Sequence, residues 1–533
     1  MGIQNIKQIM KQKVYLKILM GIMVTAVLIT FITIILLEPW IGRKIEAKFG
    51  EKYKDYSVEI DKVHLSIFTS TIELDSIKIF SKLESGGNPD LKGSIASIKI
   101  AGISLSKFLF KNNIDIRGIT ISNSSIKGKL PFPEKTKPPT ISKTNIRIDS
   151  IRFDKIDLAI ENTTNSQAFS VKEGVLKVYD LLVEKQDTLS PAIFNRFDFN
   201  ANVLTAVSAD SMYTFTARTI INSSTLKTMA LDSFSIHPNY KEYDFTARHE
   251  FQTDRFEGGF SHIFFRDFSV SDFFKSKDLV SAYIEIGNME LRAFRDNRKK
   301  RKHVDKQAFQ DMIYNYPGKI NIDSIDILSG NVLYIEHAEK ANEPGIISFN
   351  EIKAKIVKIS NNTIYKTEKA FLQLNAEALL MGKGKLTVLL KSRIYDNQNT
   401  FSVNGNLSGM DAKDLNPMLE KNAFVYATSG RIDGMNFSFT ANNDKATGKM
   451  KLLYHGLIIA VKNKRTDKTT AIKEQVSTLM ANIIVLNSNP VPNEAVRVGV
   501  IDNKRNPERF LLNYCAKSII TGIKSSVIAS PKK

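Results

Sequence analysis

The chain has 533 residues, 43% hydrophobic and 24% charged, which is enough apolar material for more than one packed domain and excludes wholesale disorder. Lys and Arg total 75 against 55 Asp and Glu, and the net charge of +20 favours an anionic neighbour, membrane surface and nucleic acid alike. A single cysteine, Cys515, excludes an intramolecular disulfide framework and a thiolate metal site within one chain.

Residues 1–17 form a basic N-terminus, and residues 18–37 are a run of 20 without one charge. As a helix that run covers roughly 30 Å, the hydrocarbon thickness of a bilayer, and it is expected to be a transmembrane signal anchor. Thr25, Thr30 and Thr33 within it can return their hydroxyls to the helix backbone. Lys7, Lys11, Lys13 and Lys17 precede the run, so the positive-inside rule keeps the N-terminus cytoplasmic and sends Glu38 onward across the membrane. Leu36, Leu37, Glu38, Pro39 and Trp40 stand where a cleavage site would need small residues, so the anchor is expected to be retained. Residues 38–55 read as a juxtamembrane linker, in which Trp40, the only tryptophan, holds an interfacial position.

From residue 56 to residue 461 apolar and polar residues mostly alternate, as in Leu372, Leu374, Ala376 and in Leu386, Val388, Leu390, which is the period of a strand. An octet recurs with the pattern apolar, polar, apolar, two polar, apolar, polar, apolar. It appears as VEIDKVHL (58–65), IELDSIKI (72–79), IDIRGITI (114–121), IRIDSIRF (146–153), IEIGNMEL (284–291) and INIDSIDI (320–327). Random sequence of this composition would give roughly two. MALDSFSI (229–236) and GRIDGMNF (430–437) match with one position relaxed. The central pairs DK, DS, RG and GN accept turns and bulges. An extra residue there would flip the second half of the strand to the other face unless a bulge absorbs it, so each octet reads as a kinked strand with one apolar face.

The octets at Ile146 and Ile320 have similar sequels, SVKEGVLKV (170–178) and SFNEIKAKI (348–356), as in a duplicated hairpin-scale module. Helical candidates within 56–461 are short, namely 104–110, 304–316 and 412–420. Helices therefore cannot be the main cover of the apolar face, leaving a sandwich, a closed barrel or a curled trough. Stacked similar hairpins favour the elongated solution. The expected fold is mainly β: a transmembrane helix, then an elongated, curled antiparallel sheet shaped like a trough or taco, then a small helical cap within residues 462–533.

Leu407 with Gly409, then Leu415, Asn416 and Pro417, then Ser429, Gly430 and Gly434, then Gly448 and Tyr454 follow in order a strand, a short Asn-Pro helix and a meander. In these places residues 407–461 resemble the last β module of AsmA-like bacterial envelope proteins. NSNP (487–490), VRVGVIDNKRNP (496–507) and FLLNYCAKSIITGIKSSV (510–527) resemble the tail of that family, and an anchor followed by Pro39 and Trp40 its start. The resemblance implies a bacterial inner-membrane protein with a periplasmic body, some of whose relatives are bridge-like phospholipid carriers. At the usual strand spacing about 20 to 25 strands make a trough of only around 100 to 120 Å, shorter than the longest members.

No catalytic apparatus is legible: seven dispersed histidines include no HExxH, and there is neither a GxSxG elbow nor a GxxxxGK[ST] loop. No enzyme activity, cofactor or metal is expected, and export argues against nucleic acid. The run Arg298, Lys299, Lys300, Arg301, Lys302 reads as a solvated loop, with contact to anionic headgroups as the alternative. Residues 510–527 read as a helix packed on the end of the sheet, and residues 470–486 as a second helix of that cap. The expected activity is binding of phospholipid in an apolar groove, with envelope proteins as candidate partners; the alternative is a non-transporting scaffold with a closed core. Groove candidates are Ile146, Ile148, Ile151, Phe153, Ile320, Ile322, Ile325 and Ile327.

Overall fold

The computed structural model describes residues 20, 23–25, 38–66, 69–82, 90–103, 113–130, 145–183, 196–366, 371–462, 469–471 and 485–529. Most of the expected anchor, residues 18–37, lies outside these, as do the helix expected at 104–110 and most of the one expected at 470–486. Among the described residues no helix is long and apolar enough to cross a membrane. The chain is mainly β and falls into two compact units, Met1–Asp210 and Ser211–Lys533.

In the first unit helix α1 (Glu38–Lys52) precedes strands β1 (Tyr56–Ser66), β2 (Thr71–Ser81), β3 (Leu91–Ala101), β4 (Asn113–Leu130), β5 (Asn145–Asn162), β6 (Ala168–Val183) and β7 (Arg196–Val207). Each strand pairs with the next, antiparallel throughout except for β4 with β5, which run parallel.

In the second unit β8 (Tyr213–Ser223), β9 (Thr228–Pro238), helix α2 (Glu242–Ala247), β10 (Arg255–Arg266), helix α3 (Val270–Ser276) and β11 (Leu279–Asp296) come first. Helix α4 (Phe309–Tyr314) leads to β12 (Ile320–Ile327), β13 (Gly330–His337), β14 (Gly345–Ser360), β15 (Leu372–Leu380), β16 (Gly384–Ser392) and β17 (Phe401–Asp411). After helix α5 (Asn416–Asn422) come β18 (Val425–Ala441), β19 (Lys445–Lys462), β20 (Thr469–Ala471), β21 (Val498–Lys504) and helix α6 (Leu511–Val527). β12 and β13 lie end to end, parallel to β11 and antiparallel to β14. From β14 to β19 the strands form an antiparallel meander, and β19 ends against both β20 and β21.

The wholly antiparallel sheet is thus corrected: β5, and likewise β12 with β13, enters parallel to its predecessor and returns antiparallel. A parallel neighbour needs a crossover connection, and the strands that enter this way open the segments beginning at Asn145 and Ile320. These are the two segments whose sequences resemble each other, and here they share a topology. The second differs in breaking between Ile327 and Gly330, where the first continues as one strand.

The octets kink at their centres. Between β1 and β2 the pairing passes from Ile60 with Ile77 to Lys62 with Asp75, leaving Asp61 and Ser76 out of the ladder. The same omission continues through Ala96 on β3 and Asn123 on β4. Because both partners skip one residue, the register survives while the facing of both strands is reset together. Along this line positive φ falls at Ser76 (54°) on β2, Asn123 (49°) on β4 and Lys155 (51°) on β5. The second unit repeats this at Thr219 (49°), Asp232, His262 (51°) and Gly287. A Cβ on Gly287 would come 2.8 Å from that of His262, so the kink line needs glycine there.

Two helical expectations change. Only Phe309–Tyr314 of 304–316 is α-helical, because the preceding chain is held extended by the Lys306 N–H donating to the Pro507 carbonyl (2.8 Å). Thr469–Ala471 is a strand on β19, not the start of a helix. The basic run is a loop in which Arg298, Lys300 and Lys302 are exposed, and several of its side chains have partners. Arg298 donates to both oxygens of Asp296 at 2.9 Å, Arg301 and His303 both meet Glu508, and Lys302 lies over the Phe251 ring.

Candidate functional site

Pairing register brings the octets of the first unit into continuous apolar rows. One row runs Leu65, Ile72, Ile100, Ile119, Ile151, Val178, Phe197 from β1 to β7, each residue directly opposite the next. The adjacent row runs Val63, Leu74, Ile98, Ile121, Phe153, Leu176, Phe199. Directly opposite residues share a face, so at 4.7 to 4.9 Å per strand each row is a stripe about 29 Å long. Beyond the kink Ile116, Ile148 and Leu181 form a third, shorter row, and Ile114, Ile146 and Val183 a fourth. All four candidates on β5 therefore belong to this face.

The face is incompletely covered. Val63, Leu74, Ile77 and Ile95 are buried in a cluster to which Ile41 of α1 contributes, and Ile148 is buried as well. Ile119, Ile121, Ile151, Phe153, Leu176, Val178, Phe197 and Phe199 are each only half-buried. Among the described residues of this unit helix α1 packs on β1.

Helix α1 also closes the sheet edge. Among the described residues β1 pairs with β2 alone, and on its other side the Ile60 N–H donates to Glu46 Oε1 and the Leu65 N–H to Glu38 Oε1, both at 2.8 Å. Eight residues along a helix rise about 12 Å, which lets two carboxylates reach two separated amides of one strand. An edge whose donors are occupied this way is a poor template for another chain. No periodicity signals this arrangement, because neither glutamate belongs to an apolar pattern.

In the second unit the corresponding face is buried over its C-terminal half, while Ile325, Ile356 and Leu374 are only partly buried. The row Ile284, Ile325, Ile356, Leu374, Leu390, Val403, Phe439, Gly448, Ile501 crosses from β11 to β21, and Leu390, Val403, Phe439 and Ile501 are all at most 6% exposed. Helix α6 lies on its end, presenting Tyr514, Ser518, Gly522 and Ser526, one per turn, all buried. The approach is backbone-close: a Cβ on Gly499 would fall 2.2 Å from Ser526 Oγ. Ser525 Oγ also accepts from the Val500 N–H of β21 (3.0 Å), so this strand too has an edge amide capped by a helix.

Helix α4 is fastened by buried Gln310, whose Nε2 donates to Ser392 Oγ (3.0 Å) and to the Asn399 carbonyl (2.9 Å). It sets Ile313 against Ile284, Ile320 and Ile322, with Tyr316 alongside. Candidates Ile320 and Ile322 are therefore interior residues at 9% and 4% exposure, and Ile325 is half-buried in the same cluster. Ile327 stands apart from them, in the row Ile327, Ala354, Ala376, Val388, Gly405, Phe437, Met450, Gly499.

Along that row lies a shallow groove of about 1090 Å³, lined by row residues such as Ile327, Ala354, Val388 and Phe437 and by their chain neighbours. Those neighbours include Lys353, Asn404, Asn406, Asn436, Lys449 and Lys451, all exposed. Asn406 Nδ2 donates to Asn436 Oδ1 (2.6 Å) across two strands, so the walls are partly self-satisfied. The exposed surface of the groove is nonetheless mainly apolar. Among the described residues no group of His, Cys, Asp and Glu could hold a metal ion.

No family model matches the chain, and no curated protein matches it.

Proposed function

We propose that this chain is a single-pass bacterial inner-membrane protein of the AsmA-like kind, anchored through residues 18–37. Its periplasmic body holds phospholipid acyl chains along an apolar trough and supports phospholipid transport to the outer membrane, or that membrane's integrity. The observation that carries this reading is the pair of seven-residue rows in the first unit, unbroken in register and half-exposed from β3 to β7. A contiguous apolar stripe left incompletely covered is a feature of surfaces that bind something greasy. Each methylene of an acyl chain laid there gains about 0.8 kcal/mol over water. Ile146, Ile148, Ile151 and Phe153 are the lining assigned by this reading, with Ile320, Ile322, Ile325 and Ile327 continuing the fold rather than the exposed stripe.

A second reading, a non-transporting scaffold that holds envelope partners, draws on the closed core beneath α6. Lipid extraction and mass spectrometry of the purified full chain distinguish the two. The expected result is phospholipid retained at a fixed ratio to protein; a folded preparation free of phospholipid removes the first reading and leaves the second.

A further inference from the structure

Helix α1 has two faces of different chemistry. Toward the sheet it turns Glu38, Gly42 and Glu46, of which Glu38 and Gly42 are buried and both glutamates hold amides of β1. Away from the sheet, at helical spacing, stand Trp40, Arg43, Lys44 and Lys48, all exposed. Trp40 is 53% exposed, and Lys44 Nζ lies 4.5 Å from its ring centroid. Arg43 donates only to the Pro39 carbonyl of its own helix (3.3 Å), and Lys48 pairs with the exposed Glu51 (3.3 Å). Two of the helix's three acids thus serve the strand edge, leaving its solvent face basic with one aromatic.

We infer that α1 is a headgroup-binding helix, whose outward face of Trp40, Arg43, Lys44 and Lys48 docks on an anionic phospholipid surface while its inward face holds β1. Charge complementarity selects the partner: a cationic helical face with an interfacial tryptophan suits anionic headgroups. Position supports it, because Glu38 directly follows the uncharged run 18–37, whose role as anchor this inference takes from the proposed function. Docking would set β1, the first strand of both apolar rows, against the headgroup layer, where a lipid would enter the stripe.

The sole tryptophan reports the contact without labelling. The full chain is reconstituted into vesicles of phosphatidylcholine alone, or of phosphatidylcholine with phosphatidylglycerol, each also containing lipid brominated near the headgroup end of its chains. The expected result is shorter-wavelength Trp40 emission and stronger bromine quenching when phosphatidylglycerol is present. Arg43→Glu with Lys48→Glu, folded by circular dichroism, is expected to return both signals to the phosphatidylcholine values. Emission and quenching indifferent to phosphatidylglycerol in the unaltered chain overturn the inference, since the anchor alone would then be positioning Trp40. A chain that carries no extracted phospholipid yet responds to phosphatidylglycerol leaves α1 docking standing while the transport reading fails.

Discussion

Some charged side chains in this protein are committed to its own backbone and to one another, and Asp296 shows the consequence. It is 5% exposed and accepts from the Arg298 guanidinium at 2.9 Å and the Arg298 N–H at 3.0 Å. Burial alone would raise its carboxyl, but the Arg298 hydrogen bonds and charge, with His337 nearby, hold it below the ordinary aspartate range. A carboxyl depressed by folding contributes stability that is complete above the unfolded value of about 3.9 and is lost as pH falls through the folded one. Asp296→Asn is therefore expected to destabilise by about 1 to 3 kcal/mol at pH 7, a deficit that narrows below about pH 4. Urea unfolding at both pH values measures it, and equal midpoints at pH 7 would contradict it. Composition shows the basic run but not its partners, because Glu508 lies some 200 residues from Arg301 and only the fold brings them together.

At the scale of elements, the kinked strand was legible because the octet encodes it: two central polar residues are the only way to keep Ile72, Leu74, Ile77 and Ile79 on one face. Which strands take the positive φ was not legible, since the distortion is shared across a ladder and settles by packing. The helical cap was legible as an amphipathic segment, but beside its isoleucines Ile519 and Ile523 the closest approach to the sheet is made by Ser518, Gly522 and Ser526. Gly522 admits Met450 and Ile501, and a Cβ there would sit 2.8 Å from Ile501 Cγ1. Gly522→Leu is expected to overpack this junction at a cost of about 1 to 3 kcal/mol and lift α6 from β21. Hydrogen exchange of the α6 amides reads this out, and protection equal to that of the unaltered chain would count against it.

At the scale of the whole molecule, the same row grammar has two outcomes. In the first unit the stripe is left half-exposed; in the second it is buried over its C-terminal half. Substitution separates them. Ile322→Glu places an unpaired charge at a 4% exposed position and is expected to cost several kcal/mol, visible as loss of the folded state. Ile151→Glu, on a half-exposed row, is expected to leave strand content intact and lower the co-purifying phospholipid. If Ile151→Glu unfolds the chain as Ile322→Glu does, the stripe is an ordinary core.

The strand content, the kinked octet and the gathering of aliphatics on one face follow from the sequence alone, because alternation and its interruption act between neighbours in the chain. The parallel entry of β5 and β12, the glutamate-capped edge of β1 and the different cover of the two stripes were decided only in three dimensions. Each depends on which distant segment comes to lie alongside, and an isoleucine reads the same in a sequence whether a helix or a lipid lies against it.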